Sequence, residues 1–77
     1  MKIVVYSKDD CRFCKAATDL LRVIPKDFNE YKLGKDFSRE LIKQVFPDAN
    51  TFPVVTIDGN FIGGYSELVA YLNENTK

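Results

Sequence analysis

The chain has 77 residues, of which eleven are Lys or Arg, eleven are Asp or Glu, two are Cys and none is His. This length suits a single small domain over residues 1–77, and a hydrophobic content of 45% is enough for a packed core. The balanced charge argues against nucleic-acid binding and membrane-surface attachment, because both favour a basic excess. The sequence contains no apolar run near the roughly 20 residues that a membrane-spanning helix needs.

The first predicted elements are a strand and a helix, joined by the polar loop 7–10. Residues 2–6 are apolar and mostly β-branched, which predicts a strand. Apolar residues then recur at i, i+3, i+4, i+7, i+8 and i+11, which predicts a helix with one buried face. That face consists of Phe13, Ala16, Ala17, Leu20, Leu21 and Ile24. Pro25 is predicted to end the helix.

The middle of the chain predicts a second strand and a second helix. Residues 28–33 alternate loosely and form the predicted strand, which Gly34 ends. Asp36 is predicted as the N-cap of the helix, and Pro47 as its end. The apolar face of this helix consists of Phe37, Leu41, Ile42, Val45 and Phe46.

The last third of the chain predicts a β-hairpin followed by a helix. Asp58-Gly59 is a strong turn signal between strands at 54–57 and 61–63. Ser66 is predicted as the N-cap of the last helix. The order is therefore β-α-β-α-β-β-α, with the first two strands parallel and the last two antiparallel, giving an α/β fold with a four-stranded mixed sheet flanked by three helices. We assign Leu20, Leu21, Leu41, Ile42 and residues 54–57 to the core.

The two cysteines form the motif Cys11-Arg12-Phe13-Cys14 at the predicted strand-to-helix turn, a placement typical of a thioredoxin-like redox site. Backbone N–H groups at a helix start lack intrahelical partners, and the helix dipole is positive there. Both effects stabilise a thiolate on Cys11, and the thiolate is the reactive form. Cys14 lies one turn further along the same helix face, within reach of Cys11.

Two other uses of the cysteine pair are weaker. A disulfide that closes so short a loop would stabilise the fold by only about 2 kcal/mol. A zinc site normally needs four Cys or His ligands, so a monomer would have to add carboxylates. The pair is therefore predicted to be redox-active, with no bound metal. Residues 1–6 lack the pattern of a signal peptide, so we expect a cytosolic protein, where such a pair is more often catalytic than structural.

Three sequence blocks, in this order and spacing, resemble the glutaredoxin family. They are YSKDDCRFC at 6–14, TFPVV at 51–55 and DGNFIGGYSEL at 58–68. The resemblance spans nearly the whole chain and implies a thioredoxin-type fold with glutathione-dependent thiol–disulfide exchange. It also implies that Cys11 is the nucleophile and Cys14 the resolving thiol.

The residues between the cysteines depart from the family pattern, which has Pro followed by Tyr. Phe13 keeps an aromatic ring and loses the hydroxyl. Arg12 adds a positive charge that favours a thiolate on Cys11, whereas Asp9 and Asp10 disfavour it. The sign of the net effect stays open.

The resemblance implies a glutathione site. Residues that match Tyr65, Ser66 and Glu67 hold the γ-glutamyl end of glutathione in the family. Lys8 matches a basic residue near the glycyl carboxylate, and Arg39 does so by a less direct alignment. The complete predicted set is Tyr6, Lys8, Arg12, Phe13, Arg39, Thr51, Phe52, Pro53, Gly64, Tyr65, Ser66 and Glu67.

Pro53 matches the cis-proline of the family. A proline at the start of a strand removes no ladder donor, and it leaves the backbone of Phe52 free to pair with an extended peptide. From the residues alone, 51–53 could also be an ordinary loop and Lys8 a solvated surface lysine. The pair Gly63-Gly64 could be a tight turn or a place where a ligand approaches the backbone.

The implied activity is reduction of protein disulfides and of glutathione mixed disulfides by a monomer, with glutathione as co-substrate and no permanently bound cofactor. Ribonucleotide reductase is a protein substrate suggested by family analogy. Two other hypotheses remain: an electron carrier recycled by thioredoxin reductase, and a dimeric iron–sulfur carrier using one Cys11 per subunit. Cys14 argues against the iron–sulfur carrier, because family members of that type tend to have a single active-site cysteine.

Overall fold

The structure, a computed structural model, describes residues 1–24 and 26–75. The predicted helix end at Pro25 lies outside these residues. The elements are β1 (Ile3–Ser7), α1 (Arg12–Val23), β2 (Phe28–Lys32), α2 (Arg39–Val45), β3 (Val54–Ile57), β4 (Asn60–Gly63) and α3 (Tyr65–Asn75). This confirms the predicted order, with strand ends that shift by about one residue.

The four strands form one mixed sheet in the order β2-β1-β3-β4. β1 pairs with β2 in parallel, with Val5 opposite Glu30, and with β3 antiparallel, with Val5 opposite Val55. β3 and β4 form the predicted antiparallel hairpin. β1 is an inner strand of the sheet. The loop that follows it therefore places the cysteines at the middle of the sheet, beyond the C-terminal end of β1.

The core has one cluster on each face of the sheet. The larger cluster joins α1 and α3 to the sheet, and its buried members are Ile3, Val5, Ala17, Leu21, Val55, Ile57, Leu68 and Leu72. The side chains of Leu21 and Leu68 are fully buried, which stabilises the fold by about 1.5–3 kcal/mol each. The smaller cluster lies under α2 and consists of Phe37, Ile42, Ala49 and Val54. Among the described residues, no helix has the length and apolar character to cross a membrane.

The prediction for the start of α2 was wrong. Ser38 is the N-cap, and its Oγ accepts a hydrogen bond from the N–H of Leu41 at 3.1 Å. Asp36 instead accepts from the N–H of Lys32 at 2.9 Å, which closes the turn after β2. Within this helix only Ile42 is buried. A helix of seven residues has about two turns, so few of its side chains can face the sheet.

Three apolar positions assigned to buried faces are exposed, and one of them is Val45 of α2, at 55%. Leu41 is 49% exposed, so its assignment to the core was wrong. Phe13 is 58% exposed, because α1 buries the face that carries Cys14, Ala17, Thr18 and Leu21, rotated from the predicted one. This rotation turns the second cysteine of the motif inward and leaves the ring between the cysteines at the surface.

α3 begins one residue before its predicted N-cap. Tyr65 is its first residue, so Ser66 lies inside the first turn. The carbonyl of Gly64 accepts from the N–H of Leu68 at 3.0 Å, which makes Gly64 the residue at the N-cap position. The prediction of Ser66 as the cap was therefore wrong, and its hydroxyl remains exposed at the helix start.

Candidate active site

The cysteines occupy the first turn of α1, as predicted. Cys11 is the N-cap, with extended backbone angles, and its Sγ accepts from the N–H of Cys14 at 3.2 Å. The two residues are joined by a disulfide, with their Cα atoms 5.2 Å apart. Cys14 is only 3% exposed, whereas Cys11 is partly exposed. The accessible sulfur is therefore the one that receives the N–H groups and the positive dipole of the helix.

A groove runs from the cysteine loop to the start of α3. Its volume is about 150 Å³, and it is lined by Phe13, Thr51, Phe52, Pro53, Gly64, Tyr65, Ser66 and Glu67. The Phe52–Pro53 peptide bond is cis, as predicted. The rings of Phe13 and Tyr65 lie 6.0 Å apart and form one wall. The groove brings together three segments that are far apart in the sequence.

The ring of Phe52 carries two cations. Lys8 Nζ lies 5.8 Å from the ring centroid, and the guanidinium carbon of Arg39 lies 5.9 Å from it. The loop before α1 supplies one cation and the first residue of α2 supplies the other. Both basic residues that were predicted to bind a carboxylate thus converge on one ring at the end of the groove, within range of cation–π attraction.

The opposite end of the groove is formed by the start of α3. Glu67 Oε1 accepts from the N–H of Gly64 at 2.7 Å, so the carboxylate folds back over the helix terminus. Gly63 has a φ of +130°, and a Cβ at this position would lie 2.5 Å from Glu67 Cγ. Gly63 therefore leaves room for the Glu67 side chain, and the close packing explains why the chain has glycine there.

The family comparison matches this architecture. A sequence model of the family described as Glutaredoxin matches residues 3–62. The chain belongs to the glutaredoxin family. It is therefore a thiol–disulfide oxidoreductase of that family, and its disulfide-capable pair is Cys11 and Cys14.

Individual glutaredoxins support the same assignment. Glutaredoxin 1 of Escherichia coli is 23% identical over 82 aligned positions, which cover 97% of this chain and 96% of that protein. The crystal structure of glutaredoxin 1 from Francisella tularensis has a TM-score of 0.79 at 22% identity, covering 95% of this chain and 93% of that one. A buckwheat glutaredoxin, solved as a complex with glutathione, has a TM-score of 0.80 at 22% identity, covering 94% and 68%. These structures confirm the thioredoxin-like fold.

Four residues of the predicted glutathione set lie outside the lining of this glutaredoxin groove: Lys8 and Arg39, which lie near the ring of Phe52 at its end, and Tyr6 and Arg12. The ring of Tyr6 packs under α2, with its centroid 5.4 Å from that of Phe37 and 5.6 Å from that of Phe46. Burial, and to a smaller extent the neighbouring Tyr31, raise the pKa of Tyr6 above its ordinary value. Arg12 is exposed and lines a different cavity, on the other side of the cysteines.

This second cavity was missed by the sequence analysis. Its volume is about 680 Å³, and it opens between α1 and the edge strand β2. It is lined by Lys8, Asp9, Asp10, Cys11, Arg12, Cys14, Lys15, Thr18, Arg22, Glu30 and Lys32. The sequence contained one signal for this cavity. Glu30 and Lys32 are two positions apart on a strand that was predicted to pair with β1, so their polar side chains lie on the same face of the sheet.

Proposed function

We propose that this glutaredoxin-family protein uses glutathione to reduce protein disulfides and glutathione mixed disulfides. The proposal is supported by the shape and charge of the groove beside Cys11. Glutathione is a short peptide with a carboxylate at each end. The groove has cations at one end and a helix N-terminus at the other, and both features bind carboxylates.

The single observation that carries the proposal is the convergence of Lys8 and Arg39 on the ring of Phe52. Two cations held beside the Phe52–Pro53 bond provide a fixed site for a carboxylate next to the backbone that an extended peptide would pair with. A thioredoxin-reductase-dependent carrier has no need of such a site. The buckwheat protein, a relative in fold, is described as a complex with glutathione, and this also favours the proposal.

The proposed reaction follows thiol–disulfide exchange. The thiolate of Cys11 attacks one sulfur of the substrate disulfide, and the other sulfur leaves as a thiolate. Cys14 then attacks the mixed disulfide at Cys11, releases the second substrate thiol and leaves the Cys11–Cys14 disulfide. Two glutathione molecules reduce that disulfide in turn and leave as oxidised glutathione. For a glutathionylated substrate, a second glutathione can replace Cys14.

The proposal includes a setting and a class of protein substrate. We place the reaction in the cytosol, where a reducing glutathione pool supplies the electrons and where C-x-x-C pairs are more often catalytic than structural. Ribonucleotide reductase is proposed as a protein substrate on family analogy.

A reductase assay with two electron sources tests the proposal. The protein is supplied with NADPH and either glutathione plus glutathione reductase or thioredoxin reductase alone, with a glutathionylated peptide as substrate. We expect turnover only with glutathione. Turnover with thioredoxin reductase alone would overturn the proposal in favour of the flavoprotein-recycled carrier.

Variants connect the assay to the groove. The double variant Lys8→Gln/Arg39→Gln should raise KM for glutathione by about tenfold, the factor that corresponds to about 1.4 kcal/mol of binding. The matched control is Lys26→Gln/Lys35→Gln, which removes the same charge from two lysines that are not among the cations on the ring of Phe52. Equal effects of the two double variants would show that overall charge, and not this carboxylate site, governs the affinity.

A further inference from the structure

The cavity on the β2 side holds a carboxylate that the reaction described above does not use. Glu30 lies in the middle of β2, with its side chain 26% exposed. The fully buried Ser7 donates from Oγ to Glu30 Oε2 at 2.7 Å, and Lys32 Nζ lies 4.0 Å from the same oxygen. Within residues 1–24 and 26–75, the hydrogen bonds and ion pairs of this carboxylate all go to Oε2. Oε1 is therefore available as an acceptor.

The strand register places Glu30 beneath α1. Glu30 pairs with Val5 in the parallel ladder, so both side chains lie on the face of the sheet that α1 covers. Two residues earlier, Phe28 lies under Arg22, whose guanidinium carbon is 5.6 Å from the ring centroid. α1 and β2 run in opposite directions, and two strand residues span roughly the same 6 Å as four helix residues. Glu30 consequently lies beneath Thr18.

Thr18 connects this position to the second cysteine. Its Oγ1 donates to the carbonyls of Lys15 at 3.1 Å and of Cys14 at 3.3 Å, and Cys14 lies one turn earlier on the same helix face. Cys14 lines the same cavity as Thr18 and Glu30. A cavity of about 680 Å³ admits water, and water in it provides a route for a proton between the sulfur and the carboxylate that line it.

The chemistry requires such an acceptor. Cys14 is 3% exposed, and burial disfavours its thiolate, while the helix-terminus N–H groups that stabilise a thiolate serve Cys11. Cys14 must nevertheless lose its proton before it can attack the mixed disulfide. We propose that Glu30 is the proton acceptor for the Cys14 thiol in this resolving step. This inference rests on the dithiol pathway of the proposed function.

The proposed step balances as follows. The Cys14 proton moves to Glu30, and the Cys14 sulfur forms a bond to the Cys11 sulfur. The bond between Cys11 and the substrate sulfur breaks, and the substrate leaves with the electron pair as a thiolate. That thiolate is then protonated from water or from Glu30. The two cysteines are oxidised to a disulfide, and the substrate is reduced.

Other charged groups face the same cavity, and none is placed as well for this role. Asp9 is 91% exposed on the loop and pairs with Lys32 at 3.5 Å, and Asp10 is also exposed. Lys8 on the loop and the α1 residues Arg12, Lys15 and Arg22 are basic, and both Lys15 and Arg22 contact Asp19. Glu30 is the carboxylate that a buried hydroxyl orients within the described part of this cavity.

A two-phase reaction with an aromatic disulfide tests the proposal without glutathione. Reduced protein is mixed with limiting 5,5′-dithiobis(2-nitrobenzoate), and release of the coloured thiol is followed by stopped flow. The first release reports the attack by Cys11, and the second reports resolution by Cys14. We expect Glu30→Gln to slow the second phase by about 100-fold, the usual lower range for loss of a general base, and to leave the first phase unchanged.

Matched variants make the result specific. Asp9→Asn removes the other carboxylate that pairs with Lys32 and should leave the second phase unchanged, whatever its effect on the first phase through the charge near Cys11. Glu30→Asp should restore part of the second phase, and thermal unfolding of each variant verifies that it folds. A second phase that is unchanged in Glu30→Gln, or both phases slowed equally, would overturn the inference. Failure of the glutathione assay would leave this measurement intact, so the two proposals fail separately.

The pH dependence supplies an independent readout. Proton transfer to a side-chain base gives a resolving rate that depends less on pH than spontaneous ionisation of the thiol, for which the rate rises tenfold per pH unit. We expect the first behaviour in the wild type and the second in Glu30→Gln. Parallel pH profiles in the two proteins would contradict the proton transfer.

Discussion

The backbone N–H of Cys14 points at the sulfur of Cys11 across 3.2 Å, while the side chain of Cys14 is buried against the sheet. This relationship gives the two cysteines different environments within a single helical turn. Cys11 receives the electrostatic support that a thiolate needs, and Cys14 has access chiefly to Cys11 and to the cavity behind it. The asymmetry is the structural basis for separate roles.

Substituting each cysteine should separate these roles. Cys11→Ser should abolish all exchange, because it removes the attacking thiolate. Cys14→Ser should keep part of the activity toward glutathione mixed disulfides and lose reduction of protein disulfides. Both substrates are assayed for each variant, and brief alkylation of the reduced wild type should label Cys11 first. Equal loss of both activities in Cys14→Ser would contradict the assigned division.

Phe52→Leu should weaken glutathione binding through the two cations on the ring. Each cation–π contact at an exposed site contributes about 0.5–1 kcal/mol, so loss of both corresponds to a roughly five- to thirtyfold rise in KM. The preference for glutathione over γ-glutamylcysteine, which lacks the glycyl carboxylate, should fall by a similar factor. Phe46→Leu is the control, since its ring contacts Tyr6 and Phe61 on the same face. An unchanged preference in Phe52→Leu would show that the cations do not depend on the ring.

Gly63→Ala should destabilise the protein and disturb the start of α3. The residue would keep a positive φ that costs about 1–3 kcal/mol in a non-glycine residue, and its Cβ would displace the Glu67 side chain. Gly59→Ala is the control, because Gly59 has a φ of +85° with nothing within 4 Å of the Cβ position. Urea unfolding should give a larger loss for Gly63→Ala. Equal losses would mean that the contact with Glu67 carries no energy.

Tyr6→Phe should change how stability depends on pH. The pKa of Tyr6 is raised in the folded state by burial first and by Tyr31 second, so the folded protein holds this proton more tightly than the unfolded chain. The resulting stability is present below the ordinary tyrosine pKa of about 10 and is lost as the pH rises through the raised value. Unfolding free energies of the oxidised proteins, measured from neutral to alkaline pH, should fall less steeply in Tyr6→Phe. Identical slopes in the two proteins would exclude Tyr6 as the source.

Arg12→Pro should reduce the thiolate fraction of Cys11 slightly. Arg12 is exposed at the helix start, and exposed charge interactions are typically worth less than about 1 kcal/mol. Because salt screens such interactions, the difference between the two proteins should shrink as the ionic strength rises. Thiolate absorbance titrated against pH at low and high salt measures it. A larger thiolate fraction in the proline variant would show that backbone geometry, and not the charge, controls Cys11.

Local pattern was sufficient for the elements and for the position of the reactive pair. The β-branched run before the cysteines, the helical spacing after them and the Asp58-Gly59 turn are short-range signals, and each predicted its element to within a few residues. The parallel pairing of the first two strands and the antiparallel pairing of the last two followed from connection rules that act on neighbouring elements. The position of Cys14, one turn into α1, likewise predicted its place beside Cys11.

Packing between distant segments decided the rest. Asp36 and Ser38 are both residue types that often cap helices. Ser38 caps α2, because the carboxylate of Asp36 already accepts a hydrogen bond from the N–H of Lys32. The ring of Phe52 lies near Lys8 and Arg39. This contact forms because the loop before α1, the start of α2 and the cis Phe52–Pro53 bond all lie at the same end of the sheet. These contacts join residues more than ten positions apart, so they depend on how whole elements pack.

The cavity behind the cysteines also depends on packing that could not be predicted from the sequence. Glu30 is an ordinary polar residue of an alternating strand until the parallel register with β1 sets it opposite Val5 and under α1. Its hydrogen bond to Ser7 spans 23 positions of sequence. The sequence by itself determined which two cysteines form the disulfide-capable pair and in which turn they lie. The tertiary structure alone decided which carboxylate stands behind them, because strand register is set by the whole buried face and not by the residues near the site.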